Sequence, residues 1–272
     1  MSFVRSLDQK QITALHNNKN SALFNLLKND IKKGKVFPAI RKNQIYFYYE
    51  GGCLYKFSNG VFLRDRQYEK YGYDESLSSY ELAKKQIKNK FTNINGDDKE
   101  RRLLNSLSSH TFNSNKRCNT VVLDIEVNLN GLTACGKKCD LVLYNVPSCE
   151  IMFVEGKVFS DNRVNVKCGK MPKVIAQVNE YSAAICEQAN GIISQYENYV
   201  KLINKLFDTG YAAPQELIQP AKLLVYETPL NLTKNNLYSI NKISSILGKN
   251  HVVWFKQNER PSPDEIWNNL CK

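Results

Sequence analysis

The stretch "KKCDLVLYNVPSCEIMFVEGKVFS", Lys137 to Ser160, sets one aspartate at the head of an apolar run and a glutamate and a lysine inside the next. The two runs read as β-strands joined by a turn at Pro147. A charged side chain among strand residues of this kind is costly to desolvate unless it is paired, hydrogen-bonded or bound to metal. Asp140, Glu155 and Lys157 are therefore either strand-end residues reaching water or the parts of a site. Glu155 and Lys157 are two apart, so they project from one face, and Gly156 leaves the other face unobstructed. An antiparallel neighbour brings the Asp140 carboxylate beside Glu155, and two adjacent carboxylates repel unless a cation lies between them. Mg²⁺ suits such a pair, because it is a hard ion that takes oxygen ligands, keeps several waters and bridges to phosphate oxygens. Lys157, beside that ion, would orient or deprotonate an attacking water.

The flanking sequence supplies a sheet for these strands to join. "NTVVLDIEVNLNG" places Val121, Leu123, Ile125, Val127 and Leu129 on one strand face and Asp124 and Glu126 on the other, which predicts a half-buried strand ending in the hairpin pair Asn130-Gly131. Glu126 is ambiguous between a solvated strand face and a metal role. Before this strand, "DDKERRLLNSLSSHTF" predicts a helix capped by Asp97 or Asp98, with Leu103, Leu104 and Leu107 on one face. After the central hairpin, Met171 to Phe207 reads as a long helical region broken near Gly191. "AKLLVYET" and "HVVWFK" then read as short buried strands separated by a helix over "SINKISSILG". The order predicts a mixed sheet flanked by helices.

Asp140, fourteen intervening residues, then Glu155-Gly156-Lys157 resembles the motif of the PD-(D/E)XK nuclease superfamily, the restriction-endonuclease-like fold. The element order from Asp97 to Phe255 is similar to that family's helix, three strands, helix and strand. Gln177 and Tyr181, in "AQVNEYSAAI", resemble the Gln-x-x-x-Tyr motif of RecB-like members, and their spacing of four places both on one helix face. Cys139 stands before Asp140 where the family pattern often has proline. The resemblance implies a Mg²⁺- or Mn²⁺-dependent phosphodiesterase acting on DNA. Asp140 and Glu155 would bind the metal, joined by Glu100 on the preceding helix, where many members carry a further acid. Lys157 would position the water, and Gln177 and Tyr181 would fix the active-site helix. The alternative is a nuclease-like scaffold that grips nucleic acid without cutting it.

The first 95 residues lie outside the resemblance and read as a small α+β module. Ser21 to Gly34 has the cap, spacing and terminal glycine of a helix, and turn signals at Glu50-Gly51-Gly52 and Asn59-Gly60 divide "NQIYFYYEGGCLYKFSNGVFLR" into three strands of a meander. Its tyrosines (Tyr46, Tyr48, Tyr49, Tyr55) pack across strands or stack on bases, and with Lys32, Lys33, Lys35, Arg41 and Lys42 they suggest a substrate-engaging surface. A composition shift places the module boundary near Phe91 to Gly96, giving modules 1–95 and 96–272.

Composition narrows the class. The 272 residues are 42% hydrophobic, enough for a substantial core, and Lys plus Arg exceed Asp plus Glu by 38 to 26, a formal charge of +12. That excess favours polyanionic partners, nucleic acid first. No run approaches the roughly 18 apolar residues of a membrane helix and no secretory core opens the chain, so a cytoplasmic protein without a membrane partner is expected, with a dimer allowed. The eight cysteines are scattered through apolar runs, as reduced thiols would be. Cys135-x3-Cys139 with Cys149 has neither a second close pair nor a nearby histidine to complete a zinc site. No Gly-rich loop ends in Gly-Lys-Ser/Thr.

Overall fold

The computed structural model of the chain describes residues 3–18, 21–64, 77–90, 97–109, 111–113, 118–129 and 138–271. It is an α/β protein whose contacts divide it into two units. A meander unit comprises Val4–Arg117 with Ser194–Ala213, and a mixed-sheet unit comprises Met1–Phe3, Cys118–Ile193 and Pro214–Lys272. The boundary expected at Phe91 to Gly96 lies outside the described residues. The helix that begins at Asp97, grouped by sequence with the C-terminal module, belongs instead to the meander unit.

The meander unit contains α1 (Gln9–Asn17), α2 (Ala22–Lys32), β1 (Val36–Arg41), β2 (Gln44–Tyr49), β3 (Gly52–Ser58), β4 (Val61–Arg64), α3 (Leu77–Lys90) and α4 (Asp97–Ser108). Ser21 caps α2 by accepting a hydrogen bond from Phe24 N–H at 3.2 Å, and Leu23, Leu27 and Ile31 bury one helical face. Gly34 ends it in the left-handed region, at φ +67°, where an added Cβ would meet Ser109 O at 2.1 Å. The sheet runs β1-β2-β3-β4, all antiparallel. Its turns place Asn59 and Gly60 at φ 52° and 82°, the paired left-handed geometry that matches strand twist. The strand pattern of β1 is interrupted by Pro38, which cannot donate to a ladder; its edge position makes that tolerable.

The mixed-sheet unit contains β5 (Thr120–Asn128), β6 (Lys138–Asn145), β7 (Glu150–Val158), α5 (Lys173–Glu187), the start of α6 (Ala189–Phe207), β8 (Glu216–Thr228), α7 (Lys234–Leu247), β9 (Val252–Lys256) and α8 (Pro263–Leu270). Strands run β5-β6-β7-β8-β9; the first three are antiparallel, and β8 and β9 add in parallel. Parallel pairing requires a crossover, which the helices after β7 and α7 provide. Helical covering fits the near-continuous burial of β7 and of residues 221–226 in β8, where an alternating pattern would mark a face left to water.

β5 departs from the expected half-buried alternation. Its register with β6 slips between Val122 and Asp124, Asp124 is fully buried, and Glu126 lies at φ 47°. The slip inserts a residue and re-aims the side chains beyond it, so a strict period of two fails. The long helix breaks at Gln188, where α5 ends, and Gly191 lies inside α6. No helix among the described residues is long and apolar enough to cross a membrane.

Candidate active site

Asp140 lies in β6 and Glu155 and Lys157 in β7, and the β6–β7 register that pairs Leu141 with Val154 brings the next two positions, Asp140 and Glu155, side by side. Neither β7 residue is a strand-end group reaching water: Glu155 and Lys157 side chains are 1% and 2% exposed, whereas Asp140 is 21% exposed. Lys157 Nζ lies 2.6 Å from Glu155 Oε1 and 3.2 Å from Asp140 Oδ2. The two carboxylates thus converge on one ammonium, which also donates to Gly156 O at 2.5 Å. Asp140 Oδ2 accepts from the Gly156 N–H at 2.9 Å, so the glycine contributes its backbone to the cluster.

α5 completes the arrangement. Its buried positions Val174, Val178, Tyr181 and Ile185 recur at helical spacing, and Ser182 Oγ accepts from Ala221 N–H of β8 at 3.1 Å. This docking turns Gln177 and Tyr181 toward β6 and β7. Gln177 Nε2 donates to Glu155 Oε1 at 2.6 Å and to Tyr181 Oη at 2.9 Å, and Tyr181 donates to Lys138 O at 2.8 Å. A chain of hydrogen bonds therefore runs from the backbone of β6 through α5 to the carboxylate on β7. Burial, reinforced by the negative charge of Glu155, pushes the Tyr181 hydroxyl above its ordinary pKa, so it remains a neutral donor. The Cys139 thiol is held well above its usual range by burial, then by Glu155 and Asp140. A protonated, buried Cys139 fills core space in the position before Asp140.

Two carboxylates and one ammonium give the trio a formal charge of one negative, held in a setting with little water to screen it. Asp140 Oδ2 and Glu155 Oε1 both reach the Lys157 nitrogen, and carboxylate oxygens are the hard donors that Mg²⁺ or Mn²⁺ takes. No group of three or more His, Cys, Asp or Glu suited to a metal occurs among the described residues. Two protein oxygens with the remainder from water and substrate phosphate is a usual arrangement for Mg²⁺.

The other candidate residues are placed differently. Glu100 is buried in α4, which belongs to the meander unit. Glu126 pairs with Lys138 at 3.3 Å. Cys135 lies outside the described residues, and the described cysteines form no disulfide. In the meander unit, Tyr55 is buried and stacks on Tyr80 with centroids 6.1 Å apart, and Lys56 Nζ lies over the Tyr46 ring at 5.4 Å. Those rings are engaged by the protein itself.

Sequence reasoning passed over two members of the neighbourhood. Gly156 N–H is a backbone group and leaves no side-chain signal beyond the glycine. Asp161, just after β7, is clamped by Arg163, whose Nε lies 3.0 Å from Asp161 Oδ1. An Asp-x-Arg pair in a loop is too common in sequence to stand out. Compared with known proteins, the chain matches no protein-family profile, no curated protein and no solved structure.

Proposed function

We propose that the protein is a metal-dependent nuclease that hydrolyses phosphodiester bonds of DNA. The observation that carries this reading is the convergence of Asp140 and Glu155 on Lys157, with Gln177 donating to the same Glu155 oxygen that contacts the lysine. The order of the mixed sheet supports it: three antiparallel strands, a helical crossover and a parallel strand make up the arrangement that the PD-(D/E)XK resemblance implies.

Asp140 and Glu155 would hold Mg²⁺, which when bound supplies charge neutralisation and polarisation at a phosphate oxygen. Lys157 has a carboxylate on each side and a backbone oxygen in reach, so its N–H directions are fixed without solvent reorganisation. With a metal on the two carboxylates, one N–H of Lys157 would turn from Asp140 to an attacking water and hold it in line with the scissile bond, where fixed orientation lowers the barrier. Gln177 fixes one rotamer of Glu155, and Tyr181 ties α5 to the Lys138 carbonyl. Asp140, the most exposed of the trio, marks the side from which phosphate enters.

The test is incubation with supercoiled plasmid, linear duplex and single-stranded DNA in Mg²⁺, Mn²⁺ or chelator. Metal-dependent nicking or cutting that chelator abolishes is expected. Intact substrates under every metal condition reject the reading.

A further inference from the structure

Beyond the catalytic cluster, the mixed-sheet unit carries two segments that lack any acidic residue. Asn162 to Asn179 contains Arg163, Lys167, Lys170 and Lys173; Thr228 to Asn258 contains Lys234, Lys242, Lys249 and Lys256. The first begins four residues after β7 ends and runs into α5; the second follows β8 and includes α7.

The structure joins them. Val166 N–H donates to Ser239 Oγ at 3.0 Å, Cys168 N–H to Asn235 Oδ1 at 3.0 Å, and Asn236 Nδ2 to Asn165 Oδ1 at 3.3 Å. The loop after β7 is thereby fastened to the first turns of α7. Around these ties Lys167, Lys170, Lys173 and Lys234 are all exposed. So are Met171, Leu230, Leu232 and Leu237, large apolar side chains 57%, 66%, 39% and 46% exposed. Down α7 the outward stripe is Lys234, Leu237, Asn241 and Ser245, cation, apolar and neutral polar without a carboxylate.

We propose that this fastened loop and the outer face of α7 form the surface on which duplex DNA docks, with Lys167, Lys170 and Lys234 on phosphates and Leu232 and Leu237 against sugars or the groove floor. Charge complementarity selects the partner: a surface of exposed lysines with no acid in either segment attracts a polyanion along its whole length. The apolar side chains suit groove contact, where Leu and Met serve proteins that press on base steps. The hydrogen bonds between loop and helix pre-order the cations, which reduces the entropy cost of binding. The inference rests on the nuclease reading for its substrate class, and on the surface itself for where that substrate lies.

Binding of the full-length protein to fluorescein-labelled duplex, titrated with KCl in chelator so that nothing is cut, tests the surface. The variant Lys167→Gln/Lys170→Gln/Lys234→Gln should bind at least about tenfold more weakly at moderate salt, and its log–log salt slope should be shallower by about 0.9 for each phosphate no longer neutralised. The control Lys10→Gln/Lys201→Gln/Lys205→Gln removes as much charge and should keep the wild-type slope. Leu232→Ser/Leu237→Ser should weaken binding while leaving the slope unchanged. Equal loss in both lysine sets, or an unchanged slope in the first, overturns the proposal. So does lysine-dependent binding to phosphatidylserine vesicles without binding to duplex. A protein that docks duplex as described yet never cleaves it in metal sinks the nuclease reading alone, whereas cleavage with an unaltered slope in the first variant sinks the surface alone.

Discussion

Each unit of the protein buries a lysine between two carboxylates beside a tyrosine, and the two clusters differ in how their carboxylates meet solvent. In the meander unit Lys84 Nζ lies 2.8 Å from Asp30 Oδ2 and 3.0 Å from Glu81 Oε1, and Tyr80 donates to Asp30 Oδ2 at 2.9 Å. There the surplus carboxylate is Glu81, 57% exposed and solvated, so the buried part is one neutral pair. In the mixed-sheet unit Glu155 is 1% exposed and Asp140 21%, so both carboxylates are more enclosed than Glu81. The same residue types give a pair with one solvated neighbour in one place and a more enclosed trio in the other. On the proposed nuclease reading, it is the enclosed trio that would take the cation.

The sharpest way to break this contrast is to remove each lysine. Lys157→Ala should lower cleavage by about 10²- to 10⁴-fold, the range for loss of a positioned proton-handling group. It should also cost about 3–5 kcal/mol of stability in chelator, because a buried carboxylate loses its partner. Added Mg²⁺ should recover part of that loss, since a ligand bound only by the folded state stabilises it. Thermal melts of the variant with and without Mg²⁺ read both effects. A folded Lys157→Ala protein that cuts at the wild-type rate would falsify the role given to this lysine. Lys84→Ala should also cost about 3 kcal/mol by the same logic, somewhat less if Tyr80 continues to satisfy Asp30. Its melt should be indifferent to Mg²⁺ and its cleavage per folded molecule unchanged; a Mg²⁺ response in this variant erases the distinction.

Asp140→Asn sharpens the comparison from the carboxylate side. It removes a ligand charge from a trio with one negative charge too many, so stability in chelator should hold or rise while Mg²⁺ affinity and cleavage fall together. Isothermal titration with Mg²⁺ beside a cleavage assay checks the pairing, and Mg²⁺ affinity equal to wild type defeats it. Gln177→Ala should have a smaller effect. It removes the Gln177 donor to Glu155, at about 1–3 kcal/mol for the lost hydrogen bond to a charged group, and lowers kcat by about tenfold with binding of duplex retained.

The sequence made the central hairpin legible because its signals are local. Glu155 and Lys157 share a face by strand period, Pro147 marks the turn, and Gln177 and Tyr181 share a face by helical period. What it concealed depends on tertiary context. β5 follows strict alternation in its residue pattern, but a register slip and the left-handed Glu126 turn buried Asp124 away from the expected polar face. β1 contains a proline that only an edge strand tolerates, and edge position is a property of the sheet. Spacing puts Lys157 on the face of Glu155 but leaves its depth open, and pairing with two carboxylates allows it to be nearly inaccessible.

The finest test of the contrast uses a reporter next to the site. Asp161 is half-buried, which by itself raises its pKa, but hydrogen bonds and charge from Arg163, with a further contribution from Lys157, bring it below the ordinary aspartate value. A carboxyl whose folded pKa is depressed adds stability that is complete above its unfolded pKa of about 3.9 and is lost as pH falls through the lower folded value. Asp161→Asn should therefore flatten the acid limb of the stability curve below that pH and leave the neutral limb's shape unchanged. Replacing Lys157 by alanine removes one of the positive charges acting on Asp161, so the Asp161 carboxyl should titrate at higher pH in that variant, and Lys84→Ala should leave it where it was. Carbon-detected NMR titration of the side-chain carboxyl reads the displacement directly. If Asp161 titrates identically in wild type and Lys157→Ala, the charge of the site does not extend to its neighbour, and the field attributed to the cluster is confined to the atoms in contact.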